Sequence, residues 1–163
     1  MGSHASVDAR AVLDAIRRIV RLLRQSAREA EKRTGLSAAQ LFVLQQLRAA
    51  GGALTPGELA ARTLTHQSSV SVVVRRLVDA GLVKRARSSA DRRRVELSLT
   101  PSGRNAARRV PRLAQERLIA AVDLLPLLER RGLSRGLDQL VQQLGIGRAT
   151  PPMFFEEGGA GAK

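Results

Sequence analysis

Residues 54–103 read LTPGELAARTLTHQSSVSVVVRRLVDAGLVKRARSSADRRRVELSLTPSG, and the order of signals within them decides the fold. Thr55-Pro56-Gly57-Glu58 places a capping threonine, a proline at the first helical position and a glutamate at the third. That combination starts a helix, because the side chains satisfy the orphan N–H groups of the first turn and proline has none to satisfy. A short helix is expected to about Thr63, then a turn through Leu64, Thr65 and His66. Val70, Val73, Val74 and Leu77 recur at helical spacing until Gly81, a left-handed cap. Two short helices joined by so brief a turn form a helix-turn-helix. Leu82–Ala86 and Val95–Leu99 are strand-like, the second alternating strictly, and they flank a basic run. The expected product is a β-hairpin wing with a long basic tip.

Reading outward, Val7 to Arg33 carries Val12, Ile16, Ile19, Leu23, Ala27 and Ala30 at steps of three and four, an amphipathic helix with arginines on its remaining faces. Met1–Ala5 (MGSHA) reads as a vector-derived extension, which removes His4 from chemical argument. Ser37 and Gln40 form a capping box for a second helix that ends at Gly51-Gly52. Thr100-Pro101 opens a helix running toward Leu125, with a kink expected near Pro111. A last helix through Leu133, Leu137, Leu140, Val141 and Leu144 stops at Gly145. The predicted class is mainly α with a small β-hairpin wing. Residues 37–99 form a winged helix-turn-helix DNA-binding region, 6–36 and 100–145 a helical dimerisation region, and 146–163 a flexible Pro/Gly-rich tail. The stripes of the first and last helices are too apolar for a small lobe to cover, so burial against a second copy of the chain is expected.

The 163 residues carry 28 Lys and Arg against 14 Asp and Glu, a net charge of +14. Such a charge gathers polyanions, so nucleic acid leads the expected partners; an anionic membrane surface ranks second and is not adopted. With 2% aromatics, no Trp and no Tyr, there is no stacking platform for splayed bases, which favours duplex DNA. The absence of Cys excludes disulfides, thiolate zinc sites and thiol-based sensing, and fits a reducing, cytoplasmic setting. One usable histidine, His66, makes a metal cluster or an acid–base pair implausible. No P-loop, nucleophile elbow or zinc-protease motif occurs, so neither an enzyme nor a cofactor is expected.

The expected recognition helix, from about Gln67 to Ala80, presents Gln67, Ser68, Ser69 and Ser71 near its start and Arg75 further along, with its valines facing inward. Gln67 and Arg75 are the stronger candidates for polar contacts in a major groove. The wing supplies Lys84, Arg85, Arg87, Ser88, Asp91, Arg92, Arg93 and Arg94, a run suited to phosphates or to the negative potential of a narrow minor groove.

Asp91-Arg92-Arg93-Arg94-Val95-Glu96-Leu97-Ser98-Leu99-Thr100-Pro101-Ser102-Gly103, together with 54–60 and 74–85, resembles the D-x-R and L-T-x-x-G signature of the MarR family of transcriptional regulators. The resemblance covers roughly residues 7–145. It implies a homodimer held by its terminal helices, binding a pseudo-palindromic operator as a repressor. It further implies that Arg93 enters the minor groove with Asp91 orienting it, although Arg92 and Arg94 flank Arg93 and compete for the role. The competing reading of Asp91 and Arg93 is an ion pair that merely stabilises the hairpin. The resemblance also implies a small aromatic or anionic effector at the junction of arms and lobes, where Arg24, Phe42 and His66 are candidates. A surface charge, a core residue and a turn residue are their respective alternatives. The rival for the whole chain is an architectural DNA-binding protein indifferent to sequence.

Overall fold

The computed structural model describes residues 2–88, 91, 93–109, 112–146 and 150–156, with side chains from residue 8 onward. Its elements run α1 (Gly2–Thr34), α2 (Ala38–Ala50), α3 (Pro56–Thr63), α4 (Gln67–Asp79), β1 (Val83–Arg87), β2 (Val95–Leu99), α5 (Pro101–Arg108), α6 (Ala114–Asp123) and α7 (Leu127–Gln143). This is the winged helix-turn-helix predicted from the sequence, with helical arms before and after it. The helix predicted from Val7 extends back to Gly2, since nothing in Gly2–Ala5 interrupts its propagation.

Local signals set the starts and stops. The Ser37 hydroxyl accepts the Gln40 N–H at 3.2 Å while the Gln40 side chain accepts the Ser37 N–H at 2.8 Å, closing a capping box at the head of α2. Thr55 and Glu58 repeat it at α3. Helix α2 then disappears into the core: Leu41, Val43 and Leu44 are fully buried and Phe42 nearly so. Around α2 pack α3, α4, α5, the C-terminal half of α1 and β2, so it is the post on which the lobe is assembled.

The hairpin is antiparallel, with Val83 opposite Leu99 and Arg87 opposite Val95. Strand β1 thus begins and ends one residue later than the sequence suggested. Leu97 and Leu99 bury alternate positions of β2 while Lys84–Arg87 stand exposed. Leu54 adds a bridge that the sequence did not announce: it donates to the Leu97 carbonyl at 3.0 Å and accepts from the Leu97 N–H at 2.8 Å. The wing is thereby tied to the loop before α3.

The long helix predicted from Pro101 toward Leu125 is two helices. Helix α5 ends at Arg108 and α6 starts at Ala114, whose N–H finds the Ser26 hydroxyl of α1 at 3.1 Å. Pro111, near which a kink was expected, lies outside the described residues.

The predicted flexible tail also differs, for its described part. Met153 is 2% exposed and belongs to the core cluster, and the Ser69 hydroxyl of α4 donates to the Pro151 carbonyl at 2.9 Å. An unbranched apolar side chain that fills a gap in a core needs no periodic pattern around it.

Gly103 sits where no side chain fits: a Cβ there would meet the Leu82 carbonyl oxygen at 1.9 Å. That oxygen already accepts the Thr100 N–H at 3.0 Å and its hydroxyl at 3.2 Å. Gly103→Ala is therefore expected to force β1 and α5 apart and to destabilise the protein by about 2–4 kcal/mol, read as a drop in denaturation midpoint. A loss below about 0.5 kcal/mol, the scale of an ordinary surface change, would show that the joint yields freely.

Candidate nucleic-acid interface

Helix α4 divides cleanly around its axis. Val70, Val73, Val74 and Leu77 are buried, while Gln67, Ser68, Ser71, Val72 and Arg75 are exposed. The expectation that its valines face inward fails at Val72, which is 44% exposed. Val72 was missed because a valine among valines reads as core; its helical angle, next to Ser68 and Arg75, was the available signal. A methyl-bearing side chain there suits apolar contact with a thymine methyl group.

Ser69 is corrected in the opposite sense. It is 7% exposed and its hydroxyl is held by Pro151, so it is not among the groups α4 presents. The Ser71 hydroxyl turns back to the Gln67 carbonyl at 2.8 Å yet stays at the surface. His66, the N-cap of α4, makes no side-chain cap hydrogen bond and is exposed.

The wing follows directly. Gly81, at φ +67°, reverses the chain after α4, and the Leu82 N–H returns to the Leu77 carbonyl at 2.9 Å. From this anchored start Lys84, Arg85 and Arg87 project from β1 into solvent. Ser88 departs from the prediction: it is 7% exposed, and its N–H donates to the Arg94 carbonyl at 2.9 Å, so it closes the hairpin instead of lining its outer surface. At the tip, the Asp91 carboxylate accepts the backbone N–H of Arg93 at 2.9 Å, and the Asp91 carbonyl accepts the Arg94 N–H at 2.9 Å. Asp91 therefore shapes the turn through the backbone, and the Arg93 side chain stands exposed. Arg92 lies outside the described residues.

Arg94 points back toward α3, its guanidinium 4.0 Å from Glu58. Glu58 accepts the Thr55 N–H at 2.7 Å and the Thr55 hydroxyl at 2.9 Å. These hydrogen bonds, led by the backbone one, hold its carboxyl below the usual value, with Arg94 and Arg62 adding to the effect.

The three effector-pocket candidates fall in separate places. Phe42 is 1% exposed and borders a cavity of about 350 Å³ with Arg62, Arg112 and Glu116. Burial raises the Glu116 carboxyl above its usual value, against the opposing pull of Arg112. Arg24 lies instead on α1, at a groove of about 770 Å³ and a cavity of about 580 Å³. His66 is at the head of α4, so the expected trio is not assembled. Three residues on three elements share no spacing that a sequence could reveal. Among the described residues no group of three His, Asp or Glu could hold a metal, and no helix is long and apolar enough to cross a membrane.

A family model for the MarR family matches residues 34–94, from α2 through β1 and up to the start of β2. An uncharacterised HTH-type transcriptional regulator of Mycobacterium leprae (strain TN) is 33% identical over 137 residues, covering 84% of this chain and 94% of its own length. The chain belongs to the MarR family. The HTH-type transcriptional repressor MdtR of Bacillus subtilis (strain 168) is 37% identical over 75 residues, 46% of this chain and 48% of its own. A solved structure of Bordetella bronchiseptica BpsR, whose DNA binding is regulated by 6-hydroxynicotinic acid, is 26% identical. It superposes with a TM-score of 0.54, covering 84% of this chain and 91% of BpsR. This MarR-family chain is accordingly a DNA-binding transcription regulator of winged-helix fold, and such regulators are not enzymes.

A carboxyl whose pKa is lowered on folding contributes stability that is present above its unfolded value and lost as pH falls through its folded value. Glu58→Gln keeps a capping side chain but no charge. The substituted protein is expected to melt below the parent at neutral pH, with the gap closing as pH drops below the usual carboxylate range of about 4. Melting curves from neutral to acid pH check this; a gap independent of pH would contradict it.

Proposed function

We propose that the protein is a homodimeric repressor that binds a pseudo-palindromic double-stranded operator sequence-specifically and is released by a small molecule in the cytoplasm. The observation that carries this reading is the concentration of exposed polar and basic side chains on α4 and on the wing that follows it. They are Gln67, Ser68, Ser71 and Arg75 on α4, Lys84, Arg85 and Arg87 on the two faces of β1, and Arg93 and Arg94 beyond it. A helix of this kind fits a major groove about 12 Å wide, and a basic tip fits phosphates or the minor groove beside it. The role assigned to Asp91 is to hold the tip turn so that Arg93 is aimed as a unit with the backbone.

One such lobe covers one half-site. Helix α7 has no buried residue, and Leu133, Leu137, Leu140, Val141 and Leu144 form an exposed stripe along it. Val12, Leu13, Ile19, Val20 and Leu22 add exposed apolar side chains around the middle of α1. On a two-fold symmetric operator, a second copy covering these side chains would present its α4 about 34–36 Å away, one turn of DNA. Repression is supported by the likeness to MdtR, and effector release by the likeness to BpsR. The open cleft bordered by Phe42, Ile119, Arg62 and Arg112, with Glu116 and Asp123 also in its lining, offers a small aromatic ligand an apolar wall and polar groups of both signs. Coupling of about 1–3 kcal/mol between that site and the DNA surface suffices for regulation.

Selection from random duplexes at one fixed salt near physiological strength is expected to yield a pseudo-palindrome; a tightly bound but random pool would instead indicate an architectural binder. On the selected duplex, Arg93→Ala is expected to cost about 1–3 kcal/mol and to change the A·T preference beside each half-site, whereas Lys84→Ala weakens all duplexes alike. Identical effects of the two on every duplex would refute readout by the wing. Leu137→Asp is expected to shift the protein toward monomer in sedimentation velocity, and an unchanged dimer would exclude α7 from the interface.

A further inference from the structure

The described C-terminal residues are docked on the flank of α4, bonded to partners 80 and 82 positions away in sequence. Pro151 accepts the Ser69 hydroxyl at 2.9 Å, Arg76 donates to the Glu156 carbonyl at 2.6 Å, and Met153 between them is 2% exposed. Ser69 and Arg76 are seven residues, about two turns, apart, so they form one row along the helix. The exposed Ser68 and Arg75 lie about a quarter turn away and remain uncovered. On its other side the segment faces α1 across the cavity of about 580 Å³, where Phe155 and Met153 oppose Arg24, Ala27 and Arg28. Phe155 holds a left-handed backbone at φ +55°, a conformation that a bulky residue keeps only where its surroundings fix it.

We propose that residues 151–156 form a positioning strap that fixes the attitude of α4 relative to the arm helix α1. Met153 is the positioning residue: it touches no DNA and acts through α4. The strap leaves the presented face open, so it steadies the helix and does not occlude it. It also spends Ser69 and Arg76 on the protein rather than on a duplex. Because α1 belongs to the proposed dimerisation arms, the strap transmits the spacing of the arms to the helix that reads bases. The inference rests on the reading of α4 as the recognition helix.

The test uses the full chain with Met153→Asp, Met153→Leu and Ser69→Ala. It measures affinity for the selected operator and for a random duplex at one salt, and amide hydrogen exchange across residues 67–79 without DNA. Met153→Asp is expected to lose operator affinity by about tenfold or more, with random-duplex affinity within about twofold and faster exchange in α4. Met153→Leu, close in volume, restores both. Parallel losses on the two duplexes, unchanged or tighter operator binding, or unchanged exchange in α4 would each overturn the proposal. Should Met153→Asp fail to fold, Ser69→Ala decides: a smaller operator-selective loss with faster α4 exchange supports the strap, and unchanged exchange refutes it. If the unsubstituted chain selects no sequence, it is the assignment of α4 that fails. That failure is recognisable because it appears without any substitution.

Discussion

The carbonyl oxygen of Leu82 joins the root of the wing to the helix that follows it. It receives the N–H of Thr100, whose hydroxyl lies between it and the Gly81 carbonyl, the nearer acceptor at 2.8 Å, and α5 passes so close that only a glycine at 103 can sit beside it. Because Leu82 follows the reversal at Gly81, this one acceptor locks the end of α4, the root of β1, the exit of β2 and the start of α5 into a single knot. The Thr-Pro-Ser-Gly sequence at 100–103 thus binds the root of the wing to α5 as well as starting that helix.

What was legible in the sequence was local. Ser37 with Gln40, Thr55 with Glu58, Thr100, and Gly81 each act within a few residues of themselves, so reading the letters amounts to reading the contacts. The same holds for Gln67, Ser68, Ser71 and Arg75, which helical geometry alone places opposite the valine core. Ser69 and Leu54 were beyond reach because their partners, Pro151 and Leu97, are far away in the chain, and Ser88 because its bond to Arg94 depends on the register of the hairpin. Met153 carries no pattern at all, since a single side chain entering a gap formed by others has no period. Arg24, Phe42 and His66 were grouped by chemistry, and the fold distributes them by helix.

Charge is handled differently on the two sides of the molecule. The ion pairs of Arg17 with Asp14 and Arg130 with Asp123 are exposed, local, and worth little in water. The net charge of +14 already counts every acidic residue and is unchanged by such pairing. A field of that sign attracts any polyanion and weakens steeply with salt, supplying encounter rather than choice. On the proposed reading, choice rests on exposed side chains of α4 and the wing, among them Arg93, beside the turn that Asp91 shapes, and Arg75, opposite the buried side of α4.

Helix α7 buries nothing and carries Gly132 and Gly136 in its interior. Seventeen residues is scarcely longer than the ~12–15 at which isolated helices become marginal, and each interior glycine costs roughly 0.5–1 kcal/mol more. Such a helix draws its stability from whatever rests on its leucines. If that is another copy of the chain, the order of the arm is a mass-action quantity, and the abundance of the protein becomes an input to its own competence. A cell making little of it would hold a folded lobe with frayed arms, and one making more would hold the paired form. The same leucine stripe that completes the assembly would then set a threshold below which regulation does not begin.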